Sequence, residues 1–180
     1  MAIKTASVIE LERHTTKDIH DSHTNGDLTV IWRDWDNIIK KMPKMVYVSS
    51  VNPGEIKGPH LHKNRTSYFS CIHGKVVFII QDKEGDFEEI EVNSEKPVLI
   101  CVSNGIASAH VNIGKDQAKI LVLADIAWKP NDNEMVNVKF NDYNFDKWKW
   151  LKEGERQEIF NEYNYHKLCQ NLITLIQKKI

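Results

Sequence analysis

The sequence predicts an all-β domain followed by a C-terminal α-helical extension, and three observations carry that reading. From Met45 to Asp125 the chain is a succession of short β-branched and apolar runs separated by Gly, Pro and Asn, the spacing of a sandwich or barrel. Residues 97–102 (PVLICV) and 119–124 (KILVLA) are apolar enough to be buried on both faces. After Trp148 the composition turns to Glu, Lys, Gln and Leu, and Leu168, Leu172, Leu175 and Ile176 recur on one face of an amphipathic helix. The expected division is a β domain over residues 1–148 and a helical extension over 149–180.

The elements follow in order. Residues 1–25 are polar and are expected to form a short strand ending in a turn at Asn25-Gly26. Residues 27–32 (DLTVIW) read as a strand, and 34–42 as a loop or short helical turn closed by Pro43. Met45–Val51 is β-rich and stops at the turn signal Asn52-Pro53-Gly54. Residues 68–72 and 75–81 flank His73-Gly74 like two strands of a hairpin. Residues 88–92 alternate in polarity, and the two apolar runs complete the set. The extension mixes both charge signs on its polar face, which suits packing on the domain or across a dimer better than a membrane surface.

Composition narrows the function classes. A chain of 180 residues with 41% hydrophobic and 27% charged residues is sized for one domain with a sizeable core. Its 24 basic and 25 acidic residues leave a formal net charge of −1, with no electrostatic case for nucleic acid or an anionic membrane. Cys71, Cys101 and Cys169 are far apart and form no CxxC, so buried thiols in a reducing compartment are expected. The N-terminus lacks the apolar core of a signal peptide and no run reaches spanning length, so the expected location is cytoplasmic.

The chemistry concentrates in Pro53-Gly54-Glu55-Ile56-Lys57-Gly58-Pro59-His60-Leu61-His62-Lys63. Residues two apart on a strand share a face, so His60 and His62 point into one space with Lys57 nearby. Neutral imidazole can accept a proton, donate one or bind a metal near neutral pH. His110, five residues after a glycine turn, could join the pair, and three imidazoles could hold zinc or iron. A metal-binding jelly roll adds a carboxylate four or five residues after the second histidine; here Thr66 and Ser67 stand there. The other reading is proton abstraction beside a carbonyl. That needs a base such as His60, positive charge from Lys57, Lys63 or Arg65, and hydroxyls such as Tyr47 and Tyr68. Trp128 could stack on a base or sugar, although such a residue is more often core or interface. The remaining histidines (His14, His20, His23, His73 and His166) read as surface residues.

Residues 53–82 (PGEIKGPHLHKNRTSYFSCIHGKVVFIIQD) resemble the core of the cupin-fold nucleotide-sugar isomerases, the dTDP-4-dehydrorhamnose 3,5-epimerase family. Thr24-Asn25-Gly26-Asp27-Leu28 is similar to that family's Asp-x-Arg-Gly-x-Leu entry. Trp128 through Glu134 is similar to its Tyr-x-Pro-x-x-Glu segment, and residues 141–148 to its Asp-Trp ending. The resemblance implies a β-jelly-roll (cupin) domain, commonly a homodimer that lends an N-terminal strand. It places His60 at the general base and Lys57 at a phosphate- or substrate-binding position. The chain departs from the pattern at the catalytic acid: eight residues before Pro130 stands Val122, not tyrosine. Asn25 replaces the entry arginine, and the aspartate behind the base has no evident counterpart. The sugar 3,4-ketoisomerases are also similar, with a His-x-His pair, a tyrosine on the preceding strand (Tyr47 here) and a strand ending like Val122-Leu123-Ala124-Asp125.

The expectation is therefore an isomerase or epimerase of a nucleotide-diphosphate 4-keto-6-deoxy-sugar, acting in surface polysaccharide or glycan precursor biosynthesis. A 3,4-ketoisomerase is the near alternative. His60, His62 and Tyr47 are the expected catalytic residues. Lys57, Lys63, Arg65, Tyr68, His110 and Trp128 are the expected substrate contacts. No cofactor and no metal is expected, since the ketone itself acidifies its neighbours. The competing classes are a metal-dependent cupin using His60, His62 and His110, and a non-catalytic nucleotide-sugar-binding cupin.

Overall fold

A computed structural model describes residues 6–148. Its strands are β1 (Ala6–Glu10), β2 (Arg13–Lys17), β3 (Thr24–Thr29), β4 (Met45–Val51), β5 (Ile56–His62), β6 (Ser67–His73), β7 (Lys75–Gln81), β8 (Phe87–Asn93), β9 (Val98–Val102), β10 (Ala107–Asn112), β11 (Ala118–Ala124) and β12 (Met135–Asn137). All pairings among them are antiparallel. They make two five-stranded sheets, ordered β1-β9-β6-β11-β4 and β12-β5-β10-β7-β8, and a separate β2-β3 ladder. The all-β expectation holds over these residues, in the layered form expected of a jelly roll. The helical extension expected at 149–180 lies outside the described residues. The described chain divides after Tyr143, and beyond that point it carries one turn of 3-10 helix, Phe145–Trp148. Among the described residues no helix is long and apolar enough to cross a membrane.

The two sheets close on a shared interior. Val51, Cys71, Ile100, Ile120 and Val122 of the first pack against Val76, Phe78, Ile80 and Val92 of the second. Burial of each such side chain contributes about 1.5–3 kcal/mol. The outer face of the first sheet is also apolar. There Tyr68, Leu99 and Leu123 are covered by Ile31, Trp32, Ile38 and Ile39. That cover explains why β3 stops at Thr29 instead of running to Trp32: Ile31 and Trp32 leave the ladder to pack on the sheet.

Two local expectations are corrected. Asn25-Gly26 is inside β3; the turn sits earlier, where the Asp18 amide donates to the His23 carbonyl (2.8 Å) and the Ser22 amide to the Asp18 carbonyl (3.1 Å). Strands β6 and β7 do not form a hairpin. β6 pairs with β9 and β11, β7 with β8 and β10, so His73-Gly74 carries the chain from one sheet to the other. Gly74 permits this crossing: its φ is +79°, and a Cβ there would lie 3.0 Å from the Ala118 Cα.

Candidate active site

The site is built on β5, with β4 facing it and β12 beside it. His60 and His62 share a face of β5, as their spacing requires. Simple alternation would put Lys57 on the other face. A bulge prevents this: Ser108 of β10 pairs with His60, but His110 pairs with Lys57, so β5 carries one residue more than its neighbour. The extra residue returns Lys57 to the face of His60, and its Nζ donates to Ser49 Oγ on β4 at 3.0 Å. Gly58 makes the bulge feasible, because its φ is +91° and a Cβ would stand 2.8 Å from the Ser108 carbonyl oxygen.

β12 fixes both imidazoles. It pairs Asn137 with His60 and Met135 with His62. His60 Nδ1 donates to Asn137 Oδ1 at 2.9 Å, which leaves the Nε2 lone pair of a neutral ring as the proton acceptor. His62 is held at both ends. Nδ1 donates to Glu134 Oε2 at 2.6 Å, and Nε2 accepts from Arg65 Nη2 at 2.5 Å. Because the guanidinium can only donate, the His62 proton sits on Nδ1. Burial lowers the His62 pKa and the Arg65 charge lowers it further, outweighing the Glu134 hydrogen bond. Glu134 also accepts from the Asn64 and Arg65 amides, at 3.1 and 2.9 Å. Burial pushes its carboxyl up, but these three donors hold it below the usual range.

His110 stands on β10 against the Phe78 ring, 5.2 Å between centroids, and its Nε2 is buried without a partner among the described residues. Burial first, then the charges of Lys57 and His60, push its pKa down to about 3, so it is a neutral ring. Tyr47 is the phenol on the facing sheet, packed against the shared core. Burial raises its pKa, only partly offset by Arg65, so it remains protonated. Tyr47 and Ser49 are two apart on β4 and so share a face, and Ser49 accepts from Lys57, which places Tyr47 on the side of β4 that meets β5.

The other expected residues are placed differently. Alternation puts Tyr68 on the outer face of the first sheet, 3% exposed, with its hydroxyl accepting from the Lys40 amide at 3.3 Å. Trp128 is 62% exposed on the segment after β11 and makes none of these contacts. Lys63 is exposed at the end of β5, where its amide donates to the Glu134 carbonyl at 3.0 Å. Arg65 is buried against His62 instead of reaching into solvent. The three-histidine metal set does not assemble: the nitrogens of His60, His62 and His110 are not within 4.8 Å of one another, and both nitrogens of His62 are engaged. Among the described residues the one group with donor atoms that close is the half-buried Asp18 with the exposed Asp21 and His23. Sequence reasoning missed Glu134 and Asn137 as partners of the pair. Glu134 did stand in the segment similar to the epimerase pattern, which was the available signal.

Comparison with known proteins bears on this arrangement. The model of the family described as "FdtA: WxcM-like, C-terminal" matches residues 6–144. No curated protein sequence matches the chain. Among solved structures, a dTDP sugar isomerase from Desulfovibrio desulfuricans G20 is similar with a TM-score of 0.69 and 15% identity, over 83% of this chain and 94% of that one. ChmJ, a 3'-monoepimerase from Streptomyces bikiniensis seen with dTDP-quinovose, has a TM-score of 0.63 and 16% identity, over 77% and 71%. A mutant of the 3,4-ketoisomerase QdtA from Thermoanaerobacterium thermosaccharolyticum, in complex with TDP-4-keto-6-deoxyglucose, has a TM-score of 0.59 and 19% identity, over 81% and 92%. At these identities the likeness shows a common fold.

Proposed function

The chain belongs to the FdtA, WxcM-like C-terminal family, and from that premise we propose that it isomerises a nucleotide-diphosphate 4-keto-6-deoxy-sugar by proton transfer beside the ketone. The observation that carries this reading is His60: its Nδ1 is tied to Asn137 at 2.9 Å, and its Nε2 has no hydrogen-bond partner among the described residues. A neutral ring oriented in this way is a base aimed at a bound carbon acid. Lys57 supplies positive charge for a developing enolate, and Tyr47 supplies a proton.

The 3,4-ketoisomerase form is favoured over the 3,5-epimerase. An epimerase needs an acid on the ring face opposite the base, and at the position where the epimerases carry it this chain has Val122, which is fully buried. Moving a ketone to the neighbouring carbon runs through an enediol instead. It needs a base at carbon and a protonated group at the oxygens, and His60 with Tyr47 are such a set. The relatives named for dTDP-sugars support thymidine diphosphate as the nucleotide. Polysaccharide or glycan precursor synthesis is the proposed setting, in the cytoplasm. A homodimer is the proposed assembly. The apolar side chains Val46, Val48 and Ile72, exposed on the first sheet, suit an interface between copies.

Incubation with dTDP-4-keto-6-deoxyglucose in D2O, followed by NMR, tests the proposal. The expected outcome is a product whose ketone has moved to C3 and whose C4 carries deuterium, with deuterium at C3 in the recovered substrate. Exchange at both C3 and C5 with inversion would make it an epimerase. Binding without any exchange would make the protein a sugar-nucleotide binder, and exchange undiminished in His60→Ala would remove the mechanism.

A further inference from the structure

Arg65 is more than nine-tenths buried, yet its Nε has no hydrogen-bond partner among the described residues. The nearest carboxylate oxygen, Glu134 Oε2, is 4.0 Å from that nitrogen. Glu134 cannot come closer without loss, because it already accepts from His62 Nδ1 and from the Asn64 and Arg65 amides. The guanidinium is thus a buried cation whose local countercharge is committed elsewhere. Such a cation is costly to keep and gains strongly from an incoming anion. Its one side-chain hydrogen bond among the described residues, from Nη2 to His62 Nε2, is spent on a neutral ring and closes off the only basic atom of His62.

We propose that Arg65 is a stopper released by substrate: an anionic phosphate group of the bound nucleotide draws the guanidinium off His62 Nε2, and His62 becomes a second proton acceptor only in the occupied site. The inference rests on the nucleotide-sugar reading above. Guanidinium pairs with a phosphate through charge-assisted, often bidentate hydrogen bonds, stronger than one bond to neutral imidazole. Once uncovered, His62 keeps its Nδ1–H bond to Glu134, whose carboxylate stabilises the imidazolium formed when Nε2 takes a proton. Departure of the guanidinium also removes a positive neighbour that disfavours that form. A ketone shift needs protons moved at oxygen as well as at carbon, so a second acceptor beside His60 has a task. With the stopper in place, the empty site holds His62 neutral and inert.

The test follows His62 by NMR on protein carrying 15N-labelled histidine, its signals assigned by comparison with His62→Asn. Wild type is titrated with pH alone, with thymidine diphosphate and with thymidine, and binding is followed independently by thermal shift. The expected result is that thymidine diphosphate raises the His62 pKa by about one unit and moves its Nε2 resonance, while thymidine leaves both in place. Arg65→Met is expected to show the raised pKa without nucleotide and no further response to it. The wild-type arm decides even if that variant fails to fold. If thymidine diphosphate binds but His62 titrates as before, the stopper is refuted and the functional reading stands. If thymidine diphosphate does not bind, both fall.

Discussion

Tyr47 and Val122 are direct partners in the β4–β11 ladder, so their side chains rise next to each other from the same face into the interior. The position that lacks an acid is therefore flanked by a phenol one strand away. Neighbouring strands lie roughly 4.7–4.9 Å apart, far enough to change which substrate atom the phenol meets. Burial keeps Tyr47 protonated. Tyr47→Phe is expected to lower product formation about 10²–10³-fold with nucleotide binding unchanged. In D2O the variant should still exchange the C3 proton faster than it forms product, because His60 remains. Equal loss of exchange and product would place Tyr47 in the abstraction step instead.

Asn137 sets the working nitrogen of His60. Asn137→Ala removes the acceptor at 2.9 Å and frees the ring to rotate or change tautomer. The expected loss in kcat is about 10-fold, with KM little changed. Asn137→Asp should instead keep the orientation and add a carboxylate behind the ring. The acid limb of the rate profile should then move to higher pH, since a negative neighbour favours imidazolium. An unshifted limb would show that His60 is not the group being titrated.

How much of this was legible beforehand depends on sequence distance. The His60–His62 pair follows from a period of two within one strand. Lys57 required the bulge, which Gly58 hints at but which only pairing with β10 reveals. Glu134 and Asn137 lie 72 and 77 residues from their histidines. Asn137 is on a three-residue strand too short to show any alternation, and Glu134 immediately precedes it. The side of β6 on which Tyr68 lies was hidden for a different reason. From Ser67 to Cys71 both faces of β6 are largely buried, so hydrophobicity did not mark which side of the strand looks inward. His73-Gly74 misled in the same way, since a sharp glycine turn serves a sheet-to-sheet crossing as well as a hairpin.

His110 makes a pH prediction. Its folded pKa is about 3, held down chiefly by burial, whereas an unfolded histidine titrates near 6.5. Below about 6.5 the unfolded chain binds a proton that the folded chain refuses, so stability falls as pH falls, by up to ~1.4 kcal/mol per pH unit for this one group. His62, also lowered, adds in the same direction. Denaturant unfolding between pH 6.5 and 4 should show this slope, and His110→Gln should reduce it by about one proton. A slope unchanged in the variant would mean that His110 is protonated in the folded state.

Gly58 supplies the last and most local prediction. Two separate effects oppose a side chain there: a φ of +91°, and a Cβ position 2.8 Å from the Ser108 carbonyl oxygen. Gly85, in the β7–β8 turn, has a similar φ of +96° with nothing within 4 Å. Gly85→Ala should therefore show the backbone strain alone, about 1 kcal/mol, and leave activity intact. Gly58→Ala should cost about 2 kcal/mol or more, because the carbonyl that must move belongs to the β10 partner of His60. Since the bulge is what places Lys57 beside His60, the Gly58 variant should also lose activity beyond its loss of folded protein, measured per active molecule at a temperature where both variants are folded. Equal costs in the two variants would show that β10 yields freely at Ser108 and that the bulge does not position the site.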